Sequence, residues 1–168
     1  MTRLFVAAWL PDETSAQLAN LVARPAAAGE RRLPEVNWHV TLRFVGRADP
    51  DELAGRLADA SLPSATARLG PTVVALDGRH VVVPVTGADN LVAAVATATR
   101  GFGEPDNRPF RGHITLARVT ARPHQQTSSL LGEPVTGTFA ISEVALVSSD
   151  TRPDGAVYTT VATFPTVG

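Results

Sequence analysis

His39-Val40-Thr41-Leu42-Arg43-Phe44-Val45 is nearly repeated, about half a chain later, as His113-Ile114-Thr115-Leu116-Ala117-Arg118-Val119. Both stretches are rich in β-branched and apolar residues, the composition of a half-buried strand. Alternate side chains of a strand share a face. The first copy therefore puts His39, Thr41 and Arg43 on one face, with Val40, Leu42 and Phe44 turned into a core. The second puts His113 and Thr115 on one face, with Ile114 and Leu116 on the other. By the same alternation Arg118 points away from His113, and only a bulge or a strand end would bring it round. Two such strands facing each other would gather two imidazoles and two hydroxyls around one small space.

Outward from these strands, the chain reads as strand–helix–strand twice, with added hairpin strands. Residues 3–9 are almost continuously apolar and predict a strand. Residues 12–28 predict a helix that presents Leu18, Leu21 and Val22; Pro25 disturbs its last turn and Gly29 closes it. Residues 30–35 form a charged connection into the first His-x-Thr strand, which Gly46 ends. Asp49-Pro50-Asp51-Glu52 is a helix start, with an acidic cap and proline at the first position, and Leu53 and Leu57 form the buried stripe. Residues 67–76 and 80–86 predict strands joined by Asp77-Gly78, and Pro84 marks the second as an edge strand or a bulged one. Residues 89–100 predict a short helix, and 101–107 and 120–132 predict loops. Residues 135–148 and 156–164 predict a closing pair of strands around Pro153-Asp154-Gly155. The expected class is α+β: one bilobal domain spanning residues 1–168, made of two similar lobes. Largely antiparallel sheets would face a central cleft, with the helices outside.

Composition narrows the chemistry. With 168 residues and 44% hydrophobic content the chain can bury a substantial core. It has no cysteine, which excludes disulfides, zinc–thiolate sites and cysteine nucleophiles. The short apolar run at residues 4–10 ends at Pro11-Asp12-Glu13 without a cleavage pattern, and no stretch could span a membrane, so a cytoplasmic protein is expected. A net charge of −1 argues against non-specific nucleic-acid binding by the whole surface. All 15 basic residues are arginine, so any cationic contact to phosphate must come from a planar guanidinium fork. Arg100, Arg108, Arg111, Arg118 and Arg122 crowd around His113, against only Glu104 and Asp106.

Two histidines flanking a phosphate can divide general acid and general base work, because an imidazole titrates near neutrality. One takes a proton from water while the other protonates the departing oxygen. Threonine hydroxyls and an arginine fork can hold the non-bridging oxygens, and this chemistry requires no metal or other cofactor. His80, after a hairpin turn, and His124, in a loop, have simpler structural readings. A zinc site built from His39, His80, His113 and His124 is conceivable, but no two of them have the spacing of helix or loop ligands.

The paired motifs resemble those of the 2H phosphoesterase superfamily. The closer similarity is to the bacterial and archaeal RNA 2′,3′-cyclic phosphodiesterases, also called 2′-5′ RNA ligases of the LigT/ThpR type. It extends through Arg3-Leu4-Phe5-Val6-Ala7, Asn37-Trp38 before the first motif, Phe110-Arg111-Gly112 before the second, and the closing hairpin from Val144 to Ser149 with Gly155 and Tyr158. Gly112 departs from the proline that the family commonly has there. The resemblance implies that His39 is the proton donor to the leaving ribose oxygen and His113 the base that activates water, which gives a 2′-phosphomonoester. Motif symmetry alone leaves these roles open. It also implies that Thr41 and Thr115 hold phosphate oxygens, with Arg43 and Arg118 as candidate substrate contacts. Phe44 and Phe110 could stack on a base, although each reads first as a core residue.

The expected partner is an RNA or nucleotide with a 2′,3′-cyclic phosphate, and the expected assembly is a monomer. Competing readings are a 2′-5′ RNA ligase acting through the same site, and a non-catalytic module that grips nucleotides or RNA ends. A binding module would not need two titrating groups, which favours the enzyme.

Overall fold

A computed structural model of the chain describes residues 2–105, 107–120 and 128–168. The predicted Asp106, Arg122 and His124 lie outside these residues. The strands are β1 (Thr2–Trp9), β2 (Glu30–Arg32), β3 (His39–Ala48), β4 (Ala65–Leu69), β5 (Val74–Leu76), β6 (His80–Thr86), β7 (His113–Val119), β8 (Gly137–Ile141), β9 (Glu143–Arg152) and β10 (Gly155–Pro165). The helices are α1 (Asp12–Val22), α2 (Pro50–Ala58) and α3 (Asp89–Ala98), with a 3₁₀ turn at Glu35–Asn37. Two antiparallel sheets form, ordered β10-β9-β1-β3 and β2-β7-β6-β4-β8, with β5 extending along β6. The two His-x-Thr strands, β3 and β7, meet at the seam. The expected α+β architecture of two facing antiparallel lobes is what the chain adopts.

A single cluster of buried side chains runs through both sheets, from Leu4, Val6 and Val40 in one to Val83, Ile114 and Phe139 in the other. The start of α2 forms as its sequence dictates: the Asp49 carboxylate accepts the main-chain N–H groups of Asp51 (2.9 Å) and Glu52 (3.0 Å).

Several boundaries differ from the sequence expectation, each for a local reason. α1 stops at Val22 because proline at position 25 can supply no N–H and its ring crowds the carbonyl four residues back. Residues 30–32 of the presumed connection pair with β7 as β2. Residues 67–76 divide into β4 and β5 around Gly70-Pro71, and residues 135–148 divide at Ser142 into β8 and β9, which belong to different sheets. β6 is interior rather than an edge. Its proline is tolerated because Pro84 lies where the β4 ladder has ended at Leu69 and that of β5 has yet to begin at Val74. Gly46 does not end β3; with φ of 87° it lets the strand turn and continue to Ala48.

The short β2 is tied down on its core side. The Glu30 carboxylate accepts from the main-chain N–H of Ala27 and from Arg32 and Ser128, and Arg32 reaches the Val22 carbonyl and the Ser129 hydroxyl. Burial pushes the Glu30 carboxyl upward, but these donors prevail and hold it below the ordinary carboxylate range.

Candidate active site

The imidazoles of the two motifs are held in the same way. His39 Nδ1 lies 2.7 Å from the Asn37 carbonyl oxygen, and His113 Nδ1 lies 2.7 Å from that of Arg111. A carbonyl oxygen only accepts, so in each ring Nδ1 carries the proton and donates it. Nε2 of each ring is thereby the nitrogen not committed to a main-chain carbonyl. His39 Nε2 is 3.0 Å from the Thr41 hydroxyl, as the shared strand face predicts. His39 also packs against three rings: Phe5 at 5.0 Å, Tyr158 at 5.4 Å and Trp9 at 5.6 Å between centroids. Burial among them lowers its pKa below the usual imidazole value; the Asn37 carbonyl works the other way, and the nearby charge of His113 lowers it further. The two histidines thus share one electrostatic space.

The sequence expectation for the residues beyond each threonine is corrected by paired bulges. β3 pairs with β1 in the order Trp9↔His39, Ala8↔Val40, Ala7↔Thr41, Val6↔Arg43 and Phe5↔Phe44, so Leu42 is an extra residue. β7 pairs with β6 in the order Pro84↔His113, Val83↔Ile114, Val82↔Thr115, Val81↔Ala117 and His80↔Arg118, so Leu116 is an extra residue. Each motif therefore carries a bulge at the leucine after its threonine. Directly opposed residues share a face, and a bulge shifts the alternation by one. Arg43 consequently leaves the face of His39 and lies opposite the fully buried Val6. Its guanidinium donates to the Thr99 carbonyl and hydroxyl and, at 2.9 Å, to the Phe102 carbonyl, so it ties β3 to the end of α3. Phe44, expected in the core, instead joins the face of Phe5 and His39; it is 47% exposed, with the Arg3 guanidinium 5.1 Å over its ring. Arg118 shares the face of His113 and Thr115 and is exposed.

Phe110 is half-buried and packs on the main core. The departure at Gly112 has a steric reason: a Cβ there would fall 2.4 Å from the Val85 carbonyl oxygen and 3.2 Å from the Phe110 ring. His80 is engaged with Asp77 at the β5–β6 turn, 2.8 Å away. Among the described residues, no group of three or more His, Asp or Glu converges on one point, and no helix is long and apolar enough to cross a membrane.

Sequence reasoning missed the aromatic surround of His39. Period-two alternation in β1, which places Phe5, Ala7 and Trp9 on one face, was a signal for two of its members. Tyr158 comes from β10, far along the chain, and only the β10–β9–β1 pairing brings it there.

The sequence model of the 2'-5' RNA ligase superfamily matches residues 10–153. A Thermus thermophilus protein named RNA 2',3'-cyclic phosphodiesterase is 30% identical, over 96% of this chain and 89% of its own length. Escherichia coli LigT crystallised with 3'-AMP superposes with a TM-score of 0.79 at 25% identity, covering 99% of each chain. A crystal structure described as a phosphoesterase gives 0.81 at 25% identity, again covering 99% of each. With its duplicated motif, its two facing sheets and matches over nearly its whole length, the chain belongs to the 2'-5' RNA ligase superfamily, the 2H phosphoesterases.

Proposed function

We propose that this chain, acting as one bilobal domain over residues 1–168, hydrolyses terminal 2′,3′-cyclic phosphates of RNA to 2′-phosphomonoesters. The observation that carries this reading is the shared fixing of both imidazoles through Nδ1, which leaves the two Nε2 atoms as the proton-exchanging atoms of the pair. His113 Nε2 takes a proton from water as the water oxygen bonds to phosphorus. The bond from phosphorus to the ribose 3′-oxygen breaks, and His39, protonated at Nε2, gives its proton to that oxygen. Solvent exchange then returns both rings to their starting forms. Its buried setting makes His39 a stronger acid than an ordinary imidazole, and a bound phosphate anion offsets the burial and the repulsion from His113 that resist its protonation. Thr41 and Thr115 hold the non-bridging oxygens, and Phe44 offers a ring at the rim. Both histidines act through proton transfer, so the step as drawn involves no metal.

The family description favours a second use of the same geometry. A 5′-hydroxyl in place of water would leave a 2′-5′ linkage when the same 3′-oxygen departs. Incubation with 2′,3′-cyclic AMP in excess EDTA, followed by phosphorus NMR, tests the hydrolase. Conversion to 2′-AMP is expected, whereas 3′-AMP would reverse which oxygen leaves. No conversion, repeated with an RNA bearing a cyclic end, would overturn the reading.

A further inference from the structure

We infer that the cleft carries a second phosphate site, formed by Arg31 and Arg118, which takes the internucleotide phosphate next to the reacting end of an RNA chain. The inference rests on the hydrolase reading and sharpens its substrate to an oligonucleotide end rather than a cyclic mononucleotide.

Arg31 in β2 is directly opposite Arg118 in β7, and Arg118 is directly opposite His80 in β6. Directly opposed residues share a face, so Arg31 joins the face that carries His113, Thr115 and Arg118. Along β7 the bulge makes Arg118 the next residue on that face after Thr115, one same-face step of about 7 Å beyond the hydroxyl assigned to the reacting phosphate. A neighbouring phosphate of the same chain would fall against it.

The charges of this row are not balanced from within. Two arginines directly across from each other repel. Arg31 and Arg118 are both exposed, and no carboxylate among the described residues bonds either of them. Among the described residues the one acceptor for Arg31 is the main-chain carbonyl of Asp154, which orients the guanidinium without neutralising it. That carbonyl belongs to the β9–β10 hairpin of the opposite sheet, so Arg31 stands where the two lobes close over one end of the cleft. His80 is already paired with Asp77 and adds little. The neighbours of Arg31 on β2 are treated in the opposite way: Glu30 and Arg32 satisfy each other on the core side. A strand that fully pairs its inward charges while setting an unneutralised arginine against another in the cleft has the form of an anion site awaiting its anion.

The test compares 2′,3′-cyclic AMP with a short oligoadenylate ending in a 2′,3′-cyclic phosphate, across a series of salt concentrations. The wild type is expected to prefer the oligonucleotide in kcat/KM, with the steeper salt dependence for that substrate. Arg31→Gln should reduce this preference by on the order of tenfold, through KM rather than kcat, and flatten the oligonucleotide's salt slope by roughly one ionic contact. Arg56→Gln, on the exposed face of α2, is the control and should leave the preference in place. Equal rates and equal salt slopes for the two substrates, or a preference that survives Arg31→Gln, would overturn the second site while the hydrolase reading stands. Failure of the wild type on both substrates would instead remove the hydrolase reading and this inference together.

Discussion

The strand that holds His39 lies at the edge of its sheet, whereas the strand that holds His113 lies between two neighbours, β2 and β6. The backbone is nevertheless repeated closely. Each imidazole is pinned to the carbonyl two residues upstream, and each strand bulges at the leucine after its threonine. What differs is what surrounds these shared elements. His39 is enclosed by Phe5, Trp9 and Tyr158 and bonded to Thr41, while no ring contact or threonine bond is made by His113 among the described residues. The position that the bulge turns into the cleft is Phe44 in one lobe and Arg118 in the other. A duplicated scaffold thus supplies two matched handles, and its side chains make them unequal. Hydrolysis of an asymmetric substrate needs that inequality, because one end must give a proton while the other takes one.

The sharpest way to break the comparison is to remove each handle in turn. His39→Ala and His113→Ala are each expected to lower kcat/KM by about 10²–10⁴-fold. The double variant should be little worse than the poorer single one, because the two groups act as a unit. Steady-state kinetics with 2′,3′-cyclic AMP checks this, and a single variant that keeps a tenth of the activity would refute divided labour.

Gly112 is the next largest effect. Gly112→Ala must displace either the Val85 carbonyl or the Phe110 ring, and overpacking of this kind costs about 1–3 kcal/mol. A thermal melt reads it directly. An unchanged Tm would mean that the approach before His113 relaxes freely around the added methyl group.

The unequal cleft positions come third. Arg118→Gln should cost on the order of tenfold in kcat/KM on an oligonucleotide with a cyclic end, through loss of a charged hydrogen bond to phosphate. Phe44→Leu should cost only about two- to fivefold, in KM, since an exposed ring contributes on the order of 1 kcal/mol. Equal losses would erase the distinction between the lobes.

The smallest effect is in pH dependence. The limb of the kcat/KM profile that belongs to His39 should fall below the ordinary imidazole value of about 6.5. Trp9→Ala, by admitting water to the ring, should move that limb upward by a fraction of a pH unit. The same depression has a sign in stability. Below about pH 6.5 the unfolded chain takes up a proton that folded His39 resists, so stability falls with falling pH until the folded group also titrates. A Tm series over this range in wild type and His39→Asn should show the loss only in the former.

Much of this site was legible in the chain itself. Composition and period-two alternation identified both His-x-Thr strands, put each histidine beside its threonine, and placed Asp49 as the cap of α2, because these depend on neighbours a few residues away. The same local rules misjudged Arg43 and Phe44. A bulge is a property of a strand pair, and neither β3 nor β7 announces at Leu42 or Leu116 that its partner will skip a residue. Ser142, where one apolar run divides between two sheets, escaped notice for the same reason: each half is a good strand, and only the sheets decide where each half goes.

The sequence by itself therefore determined the two imidazoles and hydroxyls on which the proposed reaction rests and that they come as a pair, since side-chain identity and strand period are written residue by residue. The tertiary structure alone decided which cations and rings join them. Arg118 and Phe44 arrive through register, Tyr158 through a strand from the far end of the chain, and Arg31 through a three-residue strand too short to signal itself. Each of these depends on the closing of long loops and the pairing of distant backbone, whose energetics no local window of sequence contains.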